Sequence, residues 1–290
     1  MRLENHRIAG IQFRAAHYTG GTITPTIVIL HDTAGRLEKG NSAAYLASAN
    51  PGKVSVHFVI ERDGTIEQQV LTNRRANHAG QSSYHGRNSC NEFSIGIELV
   101  NPGKMAPVQG VDELGFYARA WWGQNFADDA DCELSSIKTR EHGEGVWMDY
   151  TPWQIASLLD LLESLFDGIP TLKDITTHWY VSPGRKVDTN PLLPLDHIRA
   201  RILGRDDPAD LAAEAGSDPV PTATMLRVVT NGASLNMRGW PSFNPNVIGS
   251  IPNGTLVPAI RSGVFDGRAW TLVQFDSREG WIVDAYTQPA

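Results

Sequence analysis

Three β-branched residues and a leucine, Ile27-Val28-Ile29-Leu30, run without a polar break into a histidine, His31. Such a run in residues 24 to 31 has no solvent-facing side, so it reads as a strand covered on both faces, the pattern of an interior strand with helices packed above and below. Phe93 to Val100 reads the same way, except that Ile95-Gly96-Ile97-Glu98-Leu99 carries a carboxylate into the apolar layer. A carboxylate there is costly unless it has a partner or a task. Val56 to Glu61 and Thr65 to Val70 form a hairpin around the turn Arg62-Asp63-Gly64, and the Ala-rich stretch Asn41 to Asn50 reads as a short helix. A helical connection lets consecutive strands join one sheet by a crossover. The expected fold class is therefore α/β, a mixed central sheet flanked by helices.

The clearest helix opens at Thr151. Its hydroxyl can cap the first turn, Pro152 suits the first helical position, and Gln154 can complete a capping box. Ile155, Leu158, Leu159, Leu162, Leu165 and Phe166 recur at three- and four-residue spacing, which lays one apolar face on the sheet, and Gly168 and Pro170 end the helix. Between Asn101 and Tyr150 runs a long excursion with Trp121-Trp122 and little periodicity beyond Leu114 to Phe126, where a short helix is expected. Excursions of that length are usually functional, so it is a candidate wall for a substrate groove, with surface decoration as the alternative. His142 and Glu144 within it are expected to be solvated.

The chemistry is split along the chain. His31 ends a strand, and far downstream comes His178-Trp179-Tyr180-Val181-Ser182-Pro183-Gly184-Arg185-Lys186-Val187-Asp188. A catalytic zinc ion usually takes three ligands from His, Asp, Glu or Cys and keeps a position open for water. His31, His178 and Asp188 would supply that set, which points to a hydrolase. Zinc suits this donor set best, although manganese or cobalt could occupy it in vitro. Lys186 lies two residues before Asp188, and in an extended segment that spacing aims both side chains at one face.

Five separated stretches carry a resemblance. They are Val28-Ile29-Leu30-His31, Val56-His57-Phe58-Val59-Ile60 with Asp63-Gly64-Thr65, His78-Ala79-Gly80, Ser94-Ile95-Gly96-Ile97-Glu98-Leu99-Val100-Asn101, and Ser182-Pro183-Gly184-Arg185-Lys186-Val187-Asp188. In this order the chain resembles a zinc-dependent N-acetylmuramoyl-L-alanine amidase of the type-2 amidase and peptidoglycan-recognition-protein superfamily, over roughly residues 5 to 203. The resemblance implies zinc on His31, His178 and Asp188, Glu98 as general base and then acid, and Lys186 as the cation on the oxyanion. The alternative for Glu98 is a buried ion pair with Arg185 or Lys186. His57 and His78 are expected at the substrate or behind the ligands rather than on the metal, with His78 the better substrate contact. The chain departs from the family at Val56, where other members use a tyrosine, which shifts weight to Glu98. It departs again at Asn77, commonly Trp, and at Thr189-Asn190-Pro191, commonly Pro-Gly after the ligand Asp.

The C-terminal part is different in kind. Residues 205–222 are acidic and rich in Ala, Pro and Gly, and read as a linker. Beyond it, short strand-like runs alternate with turns at Asn231-Gly232, Asn253-Gly254 and Asp266-Gly267, as in a small all-β barrel. Leu235-Asn236-Met237-Arg238, Pro241-Ser242 and Gly280-Trp281-Ile282 resemble a bacterial SH3 domain, which implies a cell-wall-binding role for residues 223–290 behind an amidase domain at 1–204. Trp240 stands where such domains usually carry a small residue, and is either an exposed ligand platform or a barrel plug.

Composition narrows the classes. The 290 residues carry a formal charge of −7, which argues against a nucleic-acid partner. No apolar run is long enough to span a membrane, and no apolar signal core follows Met1 to Arg7. Cys90 and Cys132, the two cysteines, read as free thiols. The expectation is a peptidoglycan hydrolase acting on glycan strand and stem peptide, with no protein partner implied. It would be made in the cytoplasm and reach the wall or periplasm after release or specialised export. A phage or prophage endolysin is the first role, a secreted lytic effector the second, a muropeptide-recycling amidase the third, and a non-catalytic peptidoglycan-recognition protein the rival from another class.

Overall fold

The computed structural model describes residues 1–108, 117–129, 132–204, 224–239, 241, 243, 247–265 and 267–290. At its centre is a six-stranded sheet built from β1 (Gln12–Phe13), β2 (Ile27–Asp32), β3 (Phe58–Ile60), β4 (Ile66–Gln68), β5 (Ser94–Leu99) and a strand at Asp174–Thr177. Every residue of β2 is buried, as a run with no polar alternation requires. Helix α1 (Asn41–Ala47) links β2 to β3, but the two strands are not neighbours. β5 inserts between them, parallel to both, with Gly96 opposite Ile29 and Glu98 opposite both His31 and Val59. β3 and β4 form the expected antiparallel hairpin, and Gly64 takes φ 82° at its turn, a left-handed conformation that glycine adopts without steric cost.

The excursion after β5 is a β-structure. β6 (Ala106–Pro107), β7 (Tyr117–Arg119) and β8 (Asn125–Ala127) form one small antiparallel sheet, and β9 (Leu134–Thr139) and β10 (Gly143–Met148) form a second hairpin. Of the stretch Leu114 to Phe126 expected as a helix, the described part is strands, turning at Trp121 and Trp122. The segment has its own core, in which Met105, Ala118, Phe126, Val146 and Met148 are buried together, so local packing overrode the weak helical periodicity. His142 is also buried, contrary to expectation.

Helix α2 (Pro152–Gly168) starts on the full capping box, with Gln154 N–H donating to Thr151 Oγ1 and Thr151 N–H donating to Gln154 Oε1. Leu158, Leu161, Leu162 and Leu165 are buried against Val28, Leu30, Ile95 and Ile97 of the sheet. The chain then returns as β11 (Asp174–Thr177), parallel to β2 with Thr177 opposite Leu30. It runs into the single turn α3 (His178–Val181) and later into α4 (Leu195–Leu203).

Residues Met225 to Pro289 form a seven-stranded antiparallel sheet with a separate core that includes Val228, Ile251, Val257, Trp270, Val273 and Ile282. The stretch 205–222 expected as a linker, and Trp240, lie outside the described residues. The sheet rests against the first part of the chain. Gly86 N–H and Ser83 Oγ donate to Val264 O at 3.1 and 3.2 Å, and the Arg261 guanidinium lies 3.7 Å from the centre of the Tyr180 ring while donating to Tyr180 O. No described helix is long and apolar enough to cross a membrane, and no disulfide joins Cys90 and Cys132.

Candidate active site

Parallel register assembles the site. β11, β2 and β5 lie side by side, and in parallel strands paired residues point to the same face. Glu98 on β5 is paired with His31 on β2, and His178 follows Thr177, the partner of Leu30. The three side chains therefore stand at one level along the carboxyl edge of the sheet. The loop after α3 brings Asp188 to them.

His31 Nδ1 lies 3.0 Å from His178 Nδ1, and Asp188 Oδ2 lies 2.9 Å from His178 Nδ1 and 3.3 Å from His31 Nδ1. Both histidines are almost wholly buried. Burial pushes His31 down to about 4, helped by the neighbouring His178. Burial alone would raise Asp188, but His178 and His31 hold it well below the usual carboxylate range. Two imidazole nitrogens facing one carboxylate oxygen, with all donor atoms within 4.8 Å of one another, suit a divalent cation with ligand bonds of about 2.0–2.1 Å. The donor set therefore fits zinc.

The far ring nitrogens are fixed as well. With Nδ1 of His31 turned to His178 and Asp188, Nε2 carries the proton and donates to His78 Nδ1 at 2.9 Å. His78 then donates from Nε2 to Ser94 Oγ at 3.2 Å, and Ser94 donates to Cys90 O. This chain of donors sets the tautomer of His31. It requires Gly96, because a Cβ there would sit 2.5 Å from the His78 ring. His178 Nε2–H donates to Ala79 O at 3.1 Å, and the same carbonyl accepts from the Arg185 guanidinium at 2.7 Å.

Glu98 opens onto the same cleft as Lys186, His31, His178 and Asp188, a volume of about 650 Å³. Burial raises its carboxyl well above the ordinary range, Asp188 and Asp32 add to this, and Lys186 opposes it. Among the described residues its Oε2 has no hydrogen-bond partner. Among the described residues no ion pair joins Glu98 to Arg185 or Lys186; Arg185 is spent on Ala79 O, Gln81 O and Ser182 Oγ.

The expected substrate contacts divide. His78 lines the cleft but is buried behind His31. His57 is a correction: it is fully buried, accepts Gly96 N–H at Nδ1 and donates from Nε2 to Arg74 O, so neither ring nitrogen is left for a substrate. It pins β5 beside Glu98 instead.

Sequence reasoning missed the groups that hold Asp188. Asp32, next to His31 but on the opposite face, accepts from Asn190 N–H at 2.7 Å and from Tyr150 Oη–H at 2.5 Å, and burial raises its carboxyl to about 7. Asn190 also donates to Met148 O, and His142 Nε2–H donates to Thr189 O at 2.8 Å. The excursion thus clamps the loop that replaces the family's Pro-Gly. The one sequence signal was the acidic residue directly after the strand-end histidine.

Several known proteins are similar to this chain in sequence. A 1,6-anhydro-N-acetylmuramyl-L-alanine amidase, AmpD of Escherichia coli, is 33% identical over 152 residues, 52% of this chain and 58% of that protein. AmpD of Haemophilus influenzae is 53% identical over 55 residues, 19% of this chain and 30% of that protein. The chain thus spans less than two thirds of the length of these curated relatives. A crystal structure of an AmpD derivative aligns with a TM-score of 0.49 and 25% identity, covering 70% of this chain and 99% of that one. The family Amidase_2, N-acetylmuramoyl-L-alanine amidase, matches residues 21–191, a span that contains His31, Glu98, His178, Lys186 and Asp188, and the chain belongs to that family.

Proposed function

We propose that the protein hydrolyses the amide between N-acetylmuramic acid and the L-alanine of a peptidoglycan stem peptide. The observation that carries this reading is the meeting, in one cleft, of His31, His178 and Asp188 with Glu98, whose Oε2 has no hydrogen-bond partner among the described residues. Zinc held by the three ligands would supply a Lewis acid able to lower the pKa of water from 15.7 to about 7. Glu98 takes the proton from the attacking water and returns it to the leaving alanine nitrogen, a double role for which a raised carboxyl pKa is suited. Lys186 carries a fixed positive charge on the rim of the same cleft, where negative charge develops on the carbonyl oxygen. A non-catalytic recognition protein would need neither the intact ligand triangle nor Glu98.

In this reading residues 1–204 are the amidase domain, 205–222 the linker and 223–290 an SH3-like module that binds wall, and the role is that of an endolysin or, with the same polymeric substrate, a secreted lytic effector. The resemblance of the C-terminal words to bacterial SH3 domains supports it. A second reading, turnover of small 1,6-anhydromuropeptides, is favoured by the relatives' named activity. Digestion of intact sacculi and of soluble anhydromuropeptides, with mass spectrometry of the products, separates them. Peptides beginning at L-alanine released from sacculi support the first; release from soluble fragments alone supports the second; release from neither removes the amidase reading.

A further inference from the structure

We propose that Trp121, on the turn between β7 and β8, is a stacking platform for a pyranose ring of the glycan strand, so that the cleft reads sugar as well as the scissile amide; this rests on the amidase reading above. Trp121 is 76% exposed, yet it is held. Its Nε1–H donates to Ala34 O at 2.7 Å, and its ring meets Trp122 edge-on with centroids 5.7 Å apart. Trp122 is anchored in turn, edge-on to Phe126 and donating to Gln124 Oε1. The one polar group of the Trp121 indole is therefore consumed by the loop that follows His31.

What remains is a large apolar π-face in water at the rim of the cleft that holds His31, Glu98 and Asp188. A second bared ring, Tyr45 on α1, is 50% exposed and lines the same cleft. Peptidoglycan stems are made of small and charged amino acids, which offer no broad apolar surface. The pyranose rings do, through the C–H bonds of one face, and a rigid aromatic ring with its N–H already engaged is matched to that face. Two such rings beside a catalytic constellation fit a sugar ring adjoining the scissile bond.

The test uses the full-length Glu98→Gln protein, chosen so that ligand is not turned over, and calorimetric titration with two probes: a glycan oligomer stripped of its stems, and a free stem peptide. Trp121→Ala in that background should weaken the glycan oligomer about tenfold and leave the stem peptide unchanged. Trp121→Phe should stay within about threefold, because it keeps a ring and loses only the N–H. Glycan binding unchanged in Trp121→Ala overturns the proposal. So does equal weakening by Phe and Ala, which assigns the effect to the bridge to Ala34 instead. Glycan binding lost with Trp121→Ala in a protein that never releases L-alanine-terminated peptides would keep the platform and remove the amidase reading.

Discussion

His31 and Glu98 stand near strand ends and His178 directly after one, whereas Asp188 stands on a loop, and the two kinds of position are fixed by different physics. The first three are set by backbone register: β11, β2 and β5 are parallel neighbours, Glu98 is paired with His31, and His178 follows the partner of Leu30. Asp188 is set by side chains from elsewhere, with Asp32, Tyr150, Met148 and His142 all spent on Thr189 and Asn190. A slip of the register by one residue would turn His31 or Glu98 to the other face of the sheet. A clamp of hydrogen bonds can be loosened one bond at a time. Chemistry on the strands should therefore be lost in one step, and the loop ligand should weaken by degrees.

The largest effect expected is at Glu98. Glu98→Gln should lower kcat by about 10²–10⁴-fold with the fold and metal content intact, and activity within threefold of wild type would remove Glu98 from the mechanism. Next come the residues behind the ligands. Asp32→Asn, which weakens the hold on Asn190, and His78→Phe, which removes the acceptor for His31 Nε2–H, should each reduce zinc affinity about 10–100-fold, read by competition with a chromogenic chelator. Unchanged affinity in both would mean that the ligands hold themselves, and would erase the contrast between register and clamp. Smallest is Thr151→Ala. Loss of the α2 cap should cost about 1 kcal/mol in denaturant melts without moving zinc affinity, since α2 supports the sheet and not the loop.

The metal-free protein offers a test by pH. A buried carboxyl whose folded pKa is raised contributes stability that is full below its unfolded pKa and lost as pH rises through the folded value. Glu98 is raised above 4.5. The stability of the chelated wild type should therefore fall relative to chelated Glu98→Gln as pH climbs above 4.5. Subtracting the two curves removes the opposite trend from His31, His57 and His78, whose lowered pKa values cost stability as pH falls. Parallel curves would show that Glu98 is ordinarily solvated.

The same division explains what was legible in the sequence. Ile27 to Leu30 and Ile95 to Leu99 announced two interior strands, and the residues at their ends, His31 and Glu98, could be read from them. Thr151, Pro152 and Gln154 announced α2 in full. The clamp was illegible because its members, Asp32, His142, Tyr150 and Asn190, come together only after the excursion folds on its own core, and no local pattern ties them. His142 looked solvated for that reason. His57 was open between the substrate and the interior in sequence, and its ring is turned into the sheet. Trp121 was visible as half of an odd Trp-Trp pair, but nothing in the sequence aimed it at the loop after His31.

The central claim is that one His-His-Asp triangle and one carboxylate, Glu98, without a hydrogen-bond partner among the described residues make an amidase. Its most direct test is the metal content and product of the same samples: wild type, His178→Ala and Glu98→Gln, assayed on a muramyl-L-alanine peptide for release of an L-alanine amino terminus. One zinc per chain in wild type and Glu98→Gln, little in His178→Ala, and product from wild type alone is the expected result. Wild-type product that survives complete removal of the metal would contradict the claim.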